Sequence, residues 1–217
     1  AYEFWKQAKA HDITPVIGIE AYLAPGSRKD KTRVRWGDGG GDDVSGGGAY
    51  SHLTMWATNN DSMQNLFRLS SEAYLSGYYF KPRMDRELLS KFGKGLIATT
   101  GCPGGEVQTR LRLGQYQEAL DTAAEFRDIF GEGNYFVEVM DHGLEIEKRV
   151  RDDLLRLAKD LNLPLVATND LHYTEKEDSV AHDALLCVQV GSNLDDPNRF
   201  KFQSEEYYLK SAKQMRE

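Results

Sequence analysis

The 217-residue sequence is poor in cysteine, with Cys102 and Cys187 alone. Two thiols do not make a disulfide framework, and they fit a reducing, cytoplasmic setting. No apolar run approaches the ~18 residues of a membrane-spanning helix, and no leader of the secretory kind is legible. Positive charge is also short: 27 Lys and Arg face 34 Asp and Glu, for a net charge of −7. A domain that holds nucleic acid by phosphate contacts alone is usually basic, so the chain does not read as an autonomous nucleic-acid module. A phosphodiester substrate stays open if metal ions or a neighbouring domain supply the positive charge. The glycines between Gly37 and Gly48 match neither G-x-G-x-x-G nor a Gly-Lys-Ser/Thr ending, so a phosphate-cradling loop is unsupported. No Ser-His-Asp arrangement is legible, which speaks against covalent catalysis.

What is present is ordinary for a globular chain, with 40% hydrophobic and 28% charged residues. One core and one domain are the default at this length. Helical patterns are expected over 2–10, 62–75 with Asp61 as cap, 85–92, 106–129 with a break near Gly114, 144–161 and 177–187. Strands are expected over 15–23, 51–58, 96–100, 135–140 and 165–168. Their alternation predicts a parallel sheet with crossover helices, a barrel or a doubly wound sheet. Both ends read as helix without a start or stop signal, so the sequence is expected to be a fragment that begins mid-fold. The stretch 26–50 carries Arg28, Lys29, Lys31, Arg33 and Arg35 before its glycines and reads as a solvated loop or arm.

Functional groups of such folds gather beyond the C-terminal ends of strands. Pro164 to Tyr173 reads as a short buried strand ending in Asp170 and His172, at i and i+2 and so on one face. Glu20, Cys102 and the pair Asp141 and His142 stand near other strand ends. His52 lies at the start of its strand, which fits the rule less well. Mixed oxygen, nitrogen and sulfur donors from several strands point to a metal centre suited to Zn²⁺, or to Mn²⁺ where carboxylates dominate. Each residue also has a plainer reading. Glu20 pairs with a neighbouring cation, Cys102 is a small buried hydrophobe, His52 is a hydrogen-bonded core histidine, and Asp170 begins a capping turn. Asp141-His142-Gly143 is read as a turn rather than a ligand set. His11, His182 and Cys187 are read as structural.

Three segments carry a resemblance: Gly18 to Gly26, Ser51-His52-Leu53-Thr54, and Thr168-Asn169-Asp170-Leu171-His172-Tyr173. They are similar to the polymerase-and-histidinol-phosphatase (PHP) domain of the bacterial replicative DNA polymerase III alpha subunit, in its actinobacterial form. Gly101 to Val107, Asp196 to Phe202 and Tyr207 to Lys210 resemble it as well. The resemblance implies an α/β fold, a distorted (β/α)7 barrel, here lacking its first two strands. Residues 1–195 would form the barrel, with 26–50 as the arm, and 196–217 would begin the connection to a polymerase core. Glu20, His52, Cys102, Asp170 and His172 would be metal ligands, with Glu20 and Asp170 catalytic. Up to three ions, Zn²⁺ or Mn²⁺, would occupy the complete domain. The family's His-x-His and Asp-His-Gly motifs have no counterpart before Ala1.

The implied activity is metal-dependent 3′–5′ removal of mispaired nucleotides in the parent polymerase, whose nucleotide-adding site lies elsewhere. The implied partners are the DNA primer 3′ end, the sliding clamp and the clamp loader, with no membrane. Two other readings compete: a non-catalytic scaffold for the polymerase, and a metal hydrolase of small phosphate esters.

Overall fold

The computed structural model describes residues 1–39 and 43–216. Residues 40–42, inside the expected arm, and residue 217, at the end of the expected C-terminal helical pattern, lie outside the described residues. The chain runs α1 (Tyr2–Ala10), β1 (Gly18–Leu23), a one-turn α2 (Ser45–Gly48), β2 (Ser51–Ala57), α3 (Asn60–Ser76) and a small β3 (Tyr78–Tyr79) and β4 (Lys81–Met84) pair. It continues through α4 (Arg86–Phe92), β5 (Leu96–Thr99), α5 (Glu106–Arg112), α6 (Tyr116–Phe130), β6 (Tyr135–Val139), α7 (Glu145–Asp160), β7 (Leu165–Ala167) and α8 (Ser179–Val190). The break near Gly114 separates α5 from α6, where Gly114 takes a left-handed φ of +72°. The cap of α3 is Asn59, not Asp61: its side chain accepts from Ser62 N–H while Ser62 Oγ takes the Asn59 N–H. Ser211 to Arg216 forms turns rather than the expected helix.

One sheet orders the strands β3-β4-β1-β2-β5-β6-β7. Among the described residues, β3 and β7 are its two ends. The sheet is mixed, which corrects the all-parallel expectation: β2 runs antiparallel to both β1 and β5, whereas β1–β4, β5–β6 and β6–β7 are parallel. β7 is also not the buried strand expected, since Leu165 and Ala167 are exposed. As an end strand it has one neighbour and few residues to cover it.

The core follows from period-2 alternation. Ala21 and Leu23 of β1, Leu53 and Met55 of β2, Leu96 and Ala98 of β5, and Tyr135 and Val137 of β6 are buried on one face. Helices α3, α4, α6 and α7 cover it with Leu66, Leu69, Leu89, Phe126, Leu154 and Leu157. Each such aliphatic or aromatic side chain contributes about 1.5–3 kcal/mol by leaving water. The same alternation sends Glu20, Tyr22, His52 and Thr54 to the opposite face. No helix among the described residues is long and apolar enough to cross a membrane.

The arm is packed at its root, contrary to the solvated loop expected. Arg28 is buried, and its Nη1 donates to Asp85 at 3.0 Å and to Glu87 at 3.0 Å. Asp85 also accepts the Arg28 backbone N–H and caps α4 by accepting from Leu88 N–H. Arg83 is 1% exposed and donates to the carbonyls of Gly77, Ala49, Arg28 and Asp30. Both ends of the arm are thus tied to β4 and the start of α4. Asp85→Ala leaves buried Arg28 with only the exposed Glu87 carboxylate, strips its backbone N–H of an acceptor and removes the cap. The expected cost in denaturant unfolding is about 3–5 kcal/mol, with faster amide exchange over residues 28–34. A cost below 1 kcal/mol would show that the pair does not anchor the arm.

Candidate metal centre

β1 and β2 pair in antiparallel register, Glu20 opposite Thr54 and Tyr22 opposite His52. Glu20 and His52 are therefore diagonal neighbours on one face, a distance that side chains of this length bridge. His52 Nδ1 lies 2.9 Å from Glu20 Oε1. The loop after β5 brings the third donor. Gly101 turns it with a φ of +74°, a conformation that favours glycine. His52 N–H then donates to Gly104 O at 3.0 Å, which docks the loop on the first residues of β2. Cys102 Sγ consequently stands 3.3 Å from His52 Nδ1 and 3.7 Å from Glu20 Oε1. A Cβ added at Gly104 would sit 2.9 Å from His52 Nδ1, so a side chain there cannot coexist with this placement of the ring. Tyr50 stacks over the His52 ring and Tyr22 meets it edge-on.

Three donor atoms of different chemistry thus converge, and among the described residues this is the His/Cys/Asp/Glu group tight enough to hold a metal ion. The awkward position of His52 at a strand start is resolved by strand direction: because β2 is reversed, its start lies at the rim where β1 ends. Electrostatics agree with a site built for positive charge. Burial opposes protonation of His52, yet Cys102 and Glu20 at hydrogen-bond distance outweigh it and push its pKa up to about 10. His52 lowers the Glu20 pKa against the effect of burial, and Cys102 and His172 add to the lowering.

Asp170 and His172 follow β7 in a loop, not on a strand. Asp170 has a left-handed φ of +40°, so strand alternation does not set its direction. His172 Nδ1 donates to Asp170 O at 2.6 Å, so Nε2 is the ring nitrogen placed to meet a ligand. Metal-binding histidines commonly show this pattern. These two side chains do not join the tight trio, but they share its field. Burial raises the Asp170 pKa, His172 lowers it, Glu20 adds to the rise, and His142 and His52 oppose it.

The Asp170 loop is held by His142, which the sequence reads as part of a turn, and by its neighbours. His142 is buried and bonded at both ring nitrogens: Nδ1 to Glu147 Oε1 at 2.5 Å and Nε2 to Asn169 O at 3.0 Å. Both partners are acceptors, so both nitrogens must carry protons and the ring is an imidazolium. It stacks on Tyr207 at 3.9 Å between centroids, and Tyr207 O accepts the His172 N–H. Asn169 Nδ2 donates to Glu206 O and Tyr208 O. Residues 206–208 therefore pack back against the loop. Glu138, buried on β6, accepts from Thr99 and Thr168 hydroxyls at 2.5 Å each, tying together the ends of β5, β6 and β7. Asp141 Oδ1 accepts the Gly143 N–H, so the expected turn is present, though its side chain does not cap α7. Cys187 is buried as expected, and His182 packs against His172 and Phe202. Nothing in the residue pattern of Asp141-His142-Gly143 marks the buried pairing with Glu147.

The PHP domain family profile matches residues 1–142. DNA polymerase III subunit alpha of Saccharopolyspora erythraea is 57% identical over 226 residues, covering 100% of this chain and 19% of that protein. The proteins of the same name from Mycobacterium tuberculosis and Treponema pallidum are 56% and 45% identical, covering 100% and 99% of this chain and 19% and 18% of those proteins. The chain thus spans about a fifth of the length of the curated relatives it matches.

The His142–Glu147 pair makes stability depend on pH in a defined direction. His142 is raised above 6.5, because Glu147 and Asn169 O outweigh the opposing effect of burial. Its contribution is complete below pH 6.5 and is lost as pH rises through the folded value. Glu147 is lowered below 4.5 by His142 despite burial, so its contribution is complete above pH 4.5 and is lost in acid. Glu147→Gln is expected to cost about 3 kcal/mol, with the largest difference in melting temperature from the parent between pH 4.5 and 6.5. A difference that stays flat from acid to alkaline pH would contradict the imidazolium.

Proposed function

From the premise that this chain belongs to the PHP domain family, we propose that it carries a metal-dependent phosphodiesterase centre. Its role would be 3′–5′ removal of mispaired nucleotides in a DNA polymerase III alpha subunit. The observation that supports this most is the convergence of Glu20 Oε1, His52 Nδ1 and Cys102 Sγ within 3.7 Å of one another.

The donor set fits a divalent ion, Zn²⁺ before Mn²⁺, because it includes a thiol that binds soft metals as thiolate. Such an ion, when bound, supplies Lewis acidity toward water and toward phosphate oxygens. The protein's own groups do the rest. Glu20, His52 and Cys102 would hold one ion, His52 as the neutral ring and Cys102 as the thiolate, each having given up its proton to solvent. Asp170 and Nε2 of His172 would form a second donor set. Glu20 and Asp170 are the catalytic carboxylates. Asp170 would accept the proton of the attacking water through the oxygen not engaged with an ion. The Glu138 and His142 networks tie the Asp170 loop to the ends of β5 and β6.

In this reading residues 1–195 form the catalytic domain and residues 196–217 begin the connection to the polymerase core. The whole protein acts on the primer 3′ end in concert with a sliding clamp and clamp loader in the cytoplasm. Nucleotide addition belongs to another part of that protein.

Metal retention tests the centre directly. The chain equilibrated with Zn²⁺ and then desalted is expected to retain it in elemental analysis, and Cys102→Ala or His52→Ala to lose it. Gly104→Ala, which drives a methyl into the His52 ring, is expected to weaken binding about tenfold or more. In a polypeptide of the relatives' full length, Asp170→Asn is expected to slow removal of a 3′ mispaired nucleotide by about 100-fold. Absence of both zinc and manganese from the parent chain would end the proposal. Metal retention with unchanged removal by Asp170→Asn would reassign the domain as a scaffold.

A further inference from the structure

We propose that the cavity lined by Arg33, Arg35 and Arg112 is a groove for the sugar-phosphate backbone of a single DNA strand that leads into the Glu20–His52–Cys102 centre. The inference rests on reading that centre as a phosphodiester site. The cavity measures about 540 Å³, within the usual size range of ligand clefts. It lies between the arm, the Pro103–Gly104 loop and Arg112 at the end of α5.

Its connection to the centre is steric. Gly104 lines the cavity, and a Cβ built there would meet His52 Nδ1 at 2.9 Å and Ser45 Oγ at 3.1 Å. The same glycine therefore separates the metal-site histidine from a serine of the cavity wall. A strand end placed at His52 would have its preceding phosphates over the cavity.

The charge there is the reverse of the chain's average. The protein carries −7 in total, yet three arginines line this one cavity. Arg33 and Arg35 are exposed. The Arg33 guanidinium rests on the Phe80 ring, 4.7 Å from its centroid, a neutral support that leaves its charge available. Arg112 donates through Nη1 to Pro103 O and through Nη2 to Thr109 Oγ1 at 3.3 Å, which fixes the head beside the Cys102 loop. Among the described lining residues the carboxylate is Asp43; the backbone N–H groups of Trp36 and Val44 and the nearby Arg35 hold it ionised, so the three arginines exceed it by two charges. The arm that bears Arg33 and Arg35 is anchored by Arg28 and Arg83, so the cations are presented from a fixed root. Positively charged grooves of this kind track single strands through their phosphates.

The test is binding of a short fluorescent oligothymidylate to the full chain across a salt series, in chelator, so that metal plays no part. Each phosphate contact on a single strand contributes about 0.7 to the slope of log affinity against log salt. Arg33→Gln with Arg35→Gln is expected to lower the slope by about 1.4 and affinity by about tenfold at moderate salt. Arg33→Lys with Arg35→Lys is expected to keep the slope, so a folding defect is distinguishable from a lost charge. Arg127→Gln with Arg156→Gln, outside the cavity, is expected to change neither. An unchanged slope in the first double variant, or an equal loss in the control, overturns the groove. If zinc retention fails while the slope changes as expected, the metal centre falls and the groove stands. If zinc is retained and the slope does not change, the groove falls alone.

Discussion

His52 Nδ1 can stand 2.9 Å from Glu20 Oε1 because β2 runs against β1. In a parallel pairing with aligned starts His52, the second residue of β2, would stand beside Ile19, about 10 Å from its place opposite Tyr22 and away from the rim where β1 ends and the Cys102 loop docks. The reversal also places Gly104 opposite the start of β2, where one backbone hydrogen bond from His52 locks the Cys102 loop. Three sequence-distant donors thus meet through two features of backbone geometry, the direction of β2 and the tight turn at Gly101. The rest of the rim is arranged around them. Glu138 ties β5 to β7 through two threonine hydroxyls, and so fixes the loop of Cys102 relative to that of Asp170.

Such a cluster of acidic donors repels itself unless positive charge is supplied. The protein supplies it twice, by different means. At His52, against burial, Cys102 and Glu20 raise the proton affinity of the ring, and an ion would satisfy the same atoms. That charge is exchangeable. At His142 the charge is structural, because both ring nitrogens are committed to acceptors and the ring lies under Tyr207. A buried imidazolium one residue from the Asp170 turn lowers the cost of keeping that carboxylate charged in a partly desolvated place. The left-handed φ of Asp170, which costs of order 1 kcal/mol, is sustained by this same set of bonds.

Much of this was legible in the sequence, and the failures have physical causes. Period-2 runs located β1, β2, β5 and β6, and the apolar stripes of α3, α6 and α7 located their helices. The donor types at Glu20, His52, Cys102, Asp170 and His172 were visible as residues near strand ends. Direction is not, because alternation along a strand is the same read either way, so β2 reads as parallel and His52 as misplaced. The β3–β4 pair was missed because Tyr78–Tyr79 and Lys81–Met84 are short and contain Pro82 and two cations. The arm was misjudged because its anchor, Arg28 with Asp85, spans 57 residues and no local pattern reports such a pairing. Asp170 and His172 were given one face by strand alternation, which does not apply beyond Ala167, where β7 ends.

Net charge was the least informative quantity, and the arm shows why. The arginines of this region divide by burial into two kinds. Arg28 and Arg83 are spent inside, on Asp85 and on four backbone carbonyls, and contribute to shape rather than to surface field. Arg33 and Arg35 remain exposed on the segment those two hold. Many of the acids lie elsewhere, as on α7, whose sequence EIEKRVRDDLLRLAKD interleaves both signs, so the negative excess says little about the cavity beside His52. Screening limits the reach of exposed charges to about 10 Å at moderate salt. What a phosphate near Gly104 experiences is therefore set by the few cations lining that cavity and by whatever cation the Glu20–His52–Cys102 donors hold.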